Sequence, residues 1–240
     1  MKLLVTGGNG LLGTELKKIL SPAVIFTDRD DADITDFHQV DRMMKFYQPD
    51  AVLHLAAYTS VNSAQNNKNL CYEVNVIGTR NVAILSKHLI YMSTEYIFDG
   101  EKGNYTEDDY PNPLNFYSLT KLLGEYEAVQ AEKCTIIRTL FKPRPYKHPQ
   151  CPVDMWTSGG YVDEIAGEIK EALLRIDKLP GILHIGIERI NLFELAKQTR
   201  PDVLPIERKD LSVRLPKDTS LNTKIWESIK HDTSPVSNYI

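Results

Sequence analysis

The sequence predicts an α/β fold, a doubly wound parallel sheet with a small, reduced C-terminal region. Three observations carry that expectation. Short, near-continuous apolar runs recur through the first half, amphipathic stretches with helical spacing alternate with them, and a glycine-rich turn, TGGNGLLG from Thr6 to Gly13, joins the first run to the first such stretch.

Residues 2–6, 24–27, 51–57 and 89–94 read as strands, because their continuous apolar character suits a parallel sheet covered on both faces. Between them, Leu12, Leu16, Ile19 and Leu20 mark one helical face, and Phe37, Val40, Met44 and Tyr47 mark another behind the cap signal Thr35-Asp36. A long helix is expected over 70–86, another over 114–131, and a strand over 135–139. Pro143, Pro145, Pro149 and Pro152 then break the chain after Phe141, which predicts an extended loop. A helix over 163–176, a strand over 182–187 and a helix over 192–199 follow, and the remainder reads as an irregular cleft lip. The expected division is a dinucleotide-binding part, 1–140, and a reduced substrate-binding region, 141–240, partly packed back on it.

Composition narrows the partners. The 240 residues hold 28 Lys and Arg against 32 Asp and Glu, a net charge of -4, with no basic stripe to track nucleic acid. Cys71, Cys134 and Cys151 are odd in number and form no CxxC pair, so neither a disulfide framework nor a metal site is expected, and a cytoplasmic, reducing setting is. The first apolar run is too short for a signal peptide, and no run approaches the ~20 residues of a membrane span.

The glycine turn follows a strand and opens a helix, which is the context of a dinucleotide loop in a Rossmann sheet. Gly7 suits the tight turn, Gly10 the approach of a pyrophosphate, and Gly13 close helix packing, while the amides of Leu11 and Leu12 sit at the positive helix end. At the end of the second strand Asp28 is placed for ribose hydroxyls, and Arg29 beside it offers a guanidinium fork to a 2′-phosphate. NADH and NADPH therefore both stay open, with NADPH favoured.

Of the twelve tyrosines only Tyr117 has a lysine four positions on, Lys121, so a helix there puts both on one face. The phenol suits proton donation to a developing alkoxide, and the ammonium suits stabilising the phenolate left behind. Thr94, at the carboxyl end of the fourth strand, suits polarisation of a ketone, whereas Ser93 alternates to the opposite side.

With these residues in order, the chain resembles the extended short-chain dehydrogenases, and within them the dTDP-4-dehydrorhamnose reductase family. The shared motifs are TGGNGLLG, DITD at 33–36, HLAAYTSV at 54–61, VNVIGTRNVA at 74–83, STEYIFDG at 93–100, NFYSLTK at 115–121, IIRT at 136–139 and RLPKDTSLNTK at 214–224. The resemblance implies reduction of the C4 ketone of a deoxy-sugar nucleotide by NADPH or NADH, with Thr94, Tyr117 and Lys121 as catalytic set. It implies that Asp33, Ile34, Ala56, Ala57, Tyr58, Thr59 and Asn75 join the glycine turn, Asp28 and Arg29 around the dinucleotide, and that Glu95, Tyr96 and Phe141 lie beside the sugar. Trp156, near a glycine turn, is read either as cleft lining or as a packing anchor. A homodimer is the commonest general expectation for assembly, and the resemblance leaves as alternatives a cofactor-binding regulatory homologue of methionine adenosyltransferase, or epimerase and dehydratase chemistry. The chain departs from the family at Glu95, Asn62 and Gln65, where carboxylates differ or are lost, and at 142–152 and 155–166, where a helix and a substrate loop are replaced.

Overall fold

The computed structural model describes residues 1–234. In chain order, β1 (Leu3–Thr6), α1 (Leu11–Ile19), β2 (Ile25–Thr27), α2 (Phe37–Tyr47) and β3 (Ala51–His54) alternate, and α3 (Val61–Asn66) follows. Next come α4 (Lys68–Tyr72), a π-helical stretch at Glu73–Gly78, α5 (Thr79–Ala83), β4 (His88–Met92), α6 (Phe116–Ala128) and β5 (Lys133–Arg138). The second half holds the short strands β6 (Phe141–Lys142), β7 (Gln150–Pro152), β8 (Trp156–Thr157) and β9 (Gly160–Tyr161), then α7 (Val162–Leu174) and β10 (Ile182–His184). It closes with β11 (Ile190–Asn191), α8 (Leu192–Lys197), β12 (Leu204–Ile206) and α9 (Lys224–Lys230).

Among the described residues one six-stranded sheet, in the order β10-β5-β4-β3-β1-β2, has every neighbouring pair parallel. The order reverses direction at β1, the switch point where open sheets of this kind bind ligands beyond their carboxyl ends. Period-two alternation explains the two-sided core. Leu3, Val5, Leu53 and Ile90 face Leu12 and Leu16 of α1 and Ile165 and Ile169 of α7, while Leu4, Val52 and Leu89 face Val40 and Met43 of α2 and Ala128 of α6. Each such aliphatic side chain contributes roughly 1.5 to 3 kcal/mol on burial. The expected cap of α2 is present, since the Asp36 carboxylate accepts from the amides of His38 and Gln39.

Four expectations are corrected. The single helix over 70–86 is divided by the π-helical stretch into α4 and α5, and it ends at Ala83. The third strand stops at His54, so residues 55–60 run as a loop beyond its carboxyl end. The proline-rich segment is not only loop: β6 pairs with β9 and β7 with β12, each parallel, because those pairings satisfy backbone groups that proline leaves available. The remainder is not merely a cleft lip, for Trp226 of α9 is fully buried and its indole donates to Glu168 of α7 at 2.8 Å. The second half also supplies β10 to the main sheet. No helix among the described residues is long and apolar enough to cross a membrane.

Candidate active site

Beyond the carboxyl ends of β1 to β5 lies a cleft of about 980 Å³. Its near end is the glycine turn. Gly7 has a φ of +70°, and a Cβ on it would meet the Ala56 amide nitrogen at 2.6 Å; a Cβ on Gly13 would meet the Gly7 and Gly8 carbonyl oxygens at 2.7 Å. Neither position tolerates a side chain, so α1 is drawn tightly against the turn. The start of α1 at Gly10 has no capping side chain among the described residues, which leaves its first amides aimed into the cleft. A dinucleotide pyrophosphate fits this cradle on the donor set alone.

Asp28 lines the cleft and accepts from the Asn9 amide at 2.7 Å, tying β2 to the glycine turn. Arg29 is turned toward Asp33, 3.2 Å away, in an exposed pair of small energetic weight. The Asp33 carboxyl lies below its ordinary pKa, chiefly through the Thr35 amide and against the effect of its own partial burial. Ile34, Ala56, Ala57, Tyr58 and Thr59 also line this end. Asn75 does not: it is buried behind the wall, where its side chain accepts from the Tyr58 amide at 2.7 Å and donates to the Tyr58 carbonyl at 3.1 Å. It holds the Tyr58 loop in place.

At the far end α6 and β4 meet. Asn115 caps α6 by accepting from the Ser118 amide at 2.9 Å, and from that start Tyr117 and Lys121 project one turn apart into the cleft. Thr94, just past β4, lines the same cleft. Its hydroxyl oxygen accepts from the Tyr96 amide at 3.2 Å, leaving its own proton for donation. Burial raises the pKa of the Tyr117 phenol, with Tyr96 and Cys71 adding to the rise and the Thr94 hydroxyl opposing it. Burial lowers Lys121 to about 7, against the pull of Glu125 and Cys71. Its ammonium sits 4.2 Å from the centroid of the Tyr91 ring.

Behind Thr94 runs a buried network. Arg138 of β5 donates from two nitrogens to Glu125 of α6, at 3.0 and 2.8 Å, and the Ser93 hydroxyl donates to the same carboxylate at 2.5 Å. Ser93 thus serves as a link between β4 and α6, although its residue also touches the cleft.

Glu95 and Trp156 lie away from the cleft lining. Glu95 is fully buried and accepts from Thr157 and Thr219 on one oxygen, each at 2.6 Å, while its other oxygen has no partner among the described residues. Burial pushes its carboxyl up to about 7. The short 3-10 turn at Glu95–Ile97 rotates this side chain inward, toward the second half of the chain. Trp156 pairs through β8 with β11 and lies under the Arg189 guanidinium, 4.1 Å from ring centroid to Cζ, so it anchors packing there. Tyr96 and Phe141 do line the cleft. So do Lys142 and His148, which no motif signals, because the pairing of β6 with distant β9 carries them in. Among the described residues no group of three His, Cys, Asp or Glu is placed to hold a metal ion.

A family model described as RmlD substrate binding domain matches residues 1–141. The chain belongs to this RmlD family. A dTDP-4-dehydrorhamnose reductase of Aggregatibacter actinomycetemcomitans is 31% identical to it over 199 residues, covering 79% of this chain and 61% of the reductase. Methionine adenosyltransferase 2 subunit beta of Mus musculus is 24% identical over 233 residues, covering 81% and 70%. The crystal structure of a Bacillus anthracis dTDP-4-dehydrorhamnose reductase in complex with NADP matches with a TM-score of 0.81 at 27% identity, over 96% of each chain. This RmlD-family chain spans between 44% and 61% of the length of the first relatives it matches.

Proposed function

We propose that the chain is an NAD(P)H-dependent reductase of a 4-keto deoxy-sugar nucleotide, in which Thr94, Tyr117 and Lys121 act on the substrate ketone. One observation carries the reading: a single cleft has the glycine cradle at one end and these three side chains at the other. The NADP complex of the Bacillus anthracis reductase supports it from a fold of the same kind. Residues 1–140 serve the dinucleotide and 141–240 the substrate, and the free thiols of Cys71, Cys134 and Cys151 suit a cytoplasmic setting. A homodimer is the assembly this reading carries.

In the mechanism, the amides of Gly10, Leu11 and Leu12 hold the pyrophosphate, Asp28 the adenosine ribose, and Arg29, released from Asp33, a 2′-phosphate when one is present. A reduced nicotinamide held there would supply a hydride to the ketone carbon. Thr94 donates its proton in a hydrogen bond to the ketone oxygen and polarises it. Tyr117, kept protonated at neutral pH by burial, gives its proton to the forming alkoxide. Lys121 stabilises the resulting phenolate and holds the nicotinamide ribose.

The test is a screen of NADPH and NADH oxidation by the purified protein against enzymatically generated dTDP-, UDP- and GDP-4-keto sugars. Oxidation that depends on one sugar nucleotide is the expected result. A folded protein that binds dinucleotide and oxidises none of it across the panel overturns the proposal. A second reading, a regulatory subunit, is favoured by the 70% coverage of the murine subunit beta. A stoichiometric complex with a purified methionine adenosyltransferase catalytic subunit on size exclusion, without ketone reduction, would establish that reading instead.

A further inference from the structure

Lys121 is buried, yet among the described residues its ammonium makes neither an ion pair nor a hydrogen bond. The carboxylate one turn along α6, Glu125, is committed to Arg138 of β5 and to Ser93. The other titratable neighbours bring no charge of either sign. Burial raises both the Cys71 thiol of α4 and the Tyr117 phenol, so each keeps its proton, and it lowers His54 of β3 to about 3, so that imidazole stays neutral at working pH. What the ammonium meets is an aromatic face. It lies 4.2 Å from the centroid of the Tyr91 ring, whereas the five other lysines set over rings among the described residues stand 5.5 to 5.8 Å away. A ring quadrupole attracts a cation at this range, and most strongly where water is excluded.

Tyr91 is itself fixed in place. It is the register partner of His54 across β4 and β3, it is fully buried, and its hydroxyl donates to the Lys121 carbonyl at 3.3 Å. Gly124, three residues further along α6, makes room for that hydroxyl, because a Cβ there would collide with Tyr91 Oη. One side chain therefore touches both the backbone of the lysine and its charged end. We propose that Tyr91 is a positioning residue for Lys121: its hydroxyl fixes the turn of α6 from which Lys121 projects, and its ring face holds the ammonium in the cleft. The proposal rests on the reductase reading for the role of Lys121, and on the ring geometry for the support itself. A ring face favours the ammonium over the neutral amine, so its removal lowers the Lys121 pKa and moves the alkaline limb of kcat/KM to lower pH.

NMR titration of protein labelled with carbon-13 at the lysine ε-carbons tests it, the Lys121 resonance being assigned by its loss in Lys121→Met. In the parent protein the ε-protons of Lys121 are expected upfield of those of the other lysines, where the current of a ring beneath them places them. Tyr91→Leu and Tyr91→Met are expected to abolish that position and to lower the Lys121 pKa by about one unit, a tenfold change in the protonation equilibrium. The alkaline limb of kcat/KM for keto-sugar reduction should move down by the same amount. Tyr91→Phe keeps the ring and drops the hydroxyl, and it is expected to restore the parent titration. The dispersion of each spectrum verifies folding, and Tyr91→Met fills more of the vacated space should Tyr91→Leu fail to fold. Lys121 protons without the upfield position in the parent overturn the support. So does a Lys121 pKa indifferent to loss of the ring, or a Tyr91→Phe protein that titrates as the ringless variants do. If the pKa follows the ring while the parent reduces no keto sugar, the support stands and the reductase reading falls. If keto sugar is reduced while the pKa ignores the ring, the reverse holds.

Discussion

Tyr117 is the residue on which the proposed chemistry turns, since its buried phenol lines the cleft with Thr94 and is the proton donor of the proposed mechanism. Tyr117→Phe keeps the ring and removes the proton, so kcat for keto-sugar reduction is expected to fall by roughly 10²- to 10⁴-fold, with dinucleotide affinity unchanged in a fluorescence titration. Turnover at the parent rate would contradict the assignment. Glu95 offers a prediction of a different kind. Its folded pKa, about 7, is raised above the ordinary 4.5, so its contribution to stability is complete below about pH 4.5 and is lost as pH rises through 7. Glu95→Gln retains an oxygen to accept from Thr157 and Thr219. Urea denaturation of both proteins should therefore show the parent losing on the order of 3 kcal/mol relative to the variant between about pH 4.5 and pH 8; a constant difference would contradict an ionising buried carboxyl. Thr94, Tyr117 and Lys121 were legible in sequence because strand end and helical spacing are local properties. The inward turn of Glu95 was not, because its partners lie 62 and 124 residues away.

At the level of elements, the turn between β1 and α1 and the seam between α6 and β5 set the cleft's two ends. Gly13→Val would drive a branched side chain into the Gly7 and Gly8 carbonyls, already 2.7 Å from an ideal Cβ. Loss of measurable NADPH binding is expected, together with loss of the thermal stabilisation that NADPH gives the parent, about 2.7 kcal/mol at a hundredfold excess over Kd. Undiminished NADPH binding would show that the turn is not the cradle. The seam depends on the buried pair of Glu125 and Arg138, with side chains 6% and 3% exposed. Glu125→Leu strands a guanidinium in the core, and equilibrium unfolding should show a loss of about 3 to 5 kcal/mol; a change under about 1 kcal/mol would mean the pair is solvated. Both elements follow from sequence through the glycine string and the amphipathic spacing of α6. The π-helical break before α5 does not, since a helix interrupted by one looser turn keeps nearly the same apolar pattern.

Across the whole molecule, the first 140 residues were readable as alternating strand and helix because parallel strands buried on both faces give continuous apolar runs. The second half was less readable. Its β6, β7, β8 and β9 span two or three residues each, and they exist only through partners elsewhere in the chain, as with β7 and β12. Lys142 and His148 reach the cleft on such segments, which is why no motif marks them. The same long-range packing seals Trp226 beneath α7 in the core on one face of the sheet, while the cleft lies beyond the carboxyl ends of the strands. On the proposed reading, a hydride crosses this cleft from a dinucleotide over the turn after β1 to a ketone beside Thr94. The most direct measurement is mass spectrometry of the sugar product formed with NADPH carrying deuterium in one or the other of its two transferable C4 positions. The account predicts one deuterium in the product from one of the two labelled cofactors and none from the other. Sugar product free of deuterium with both would contradict it.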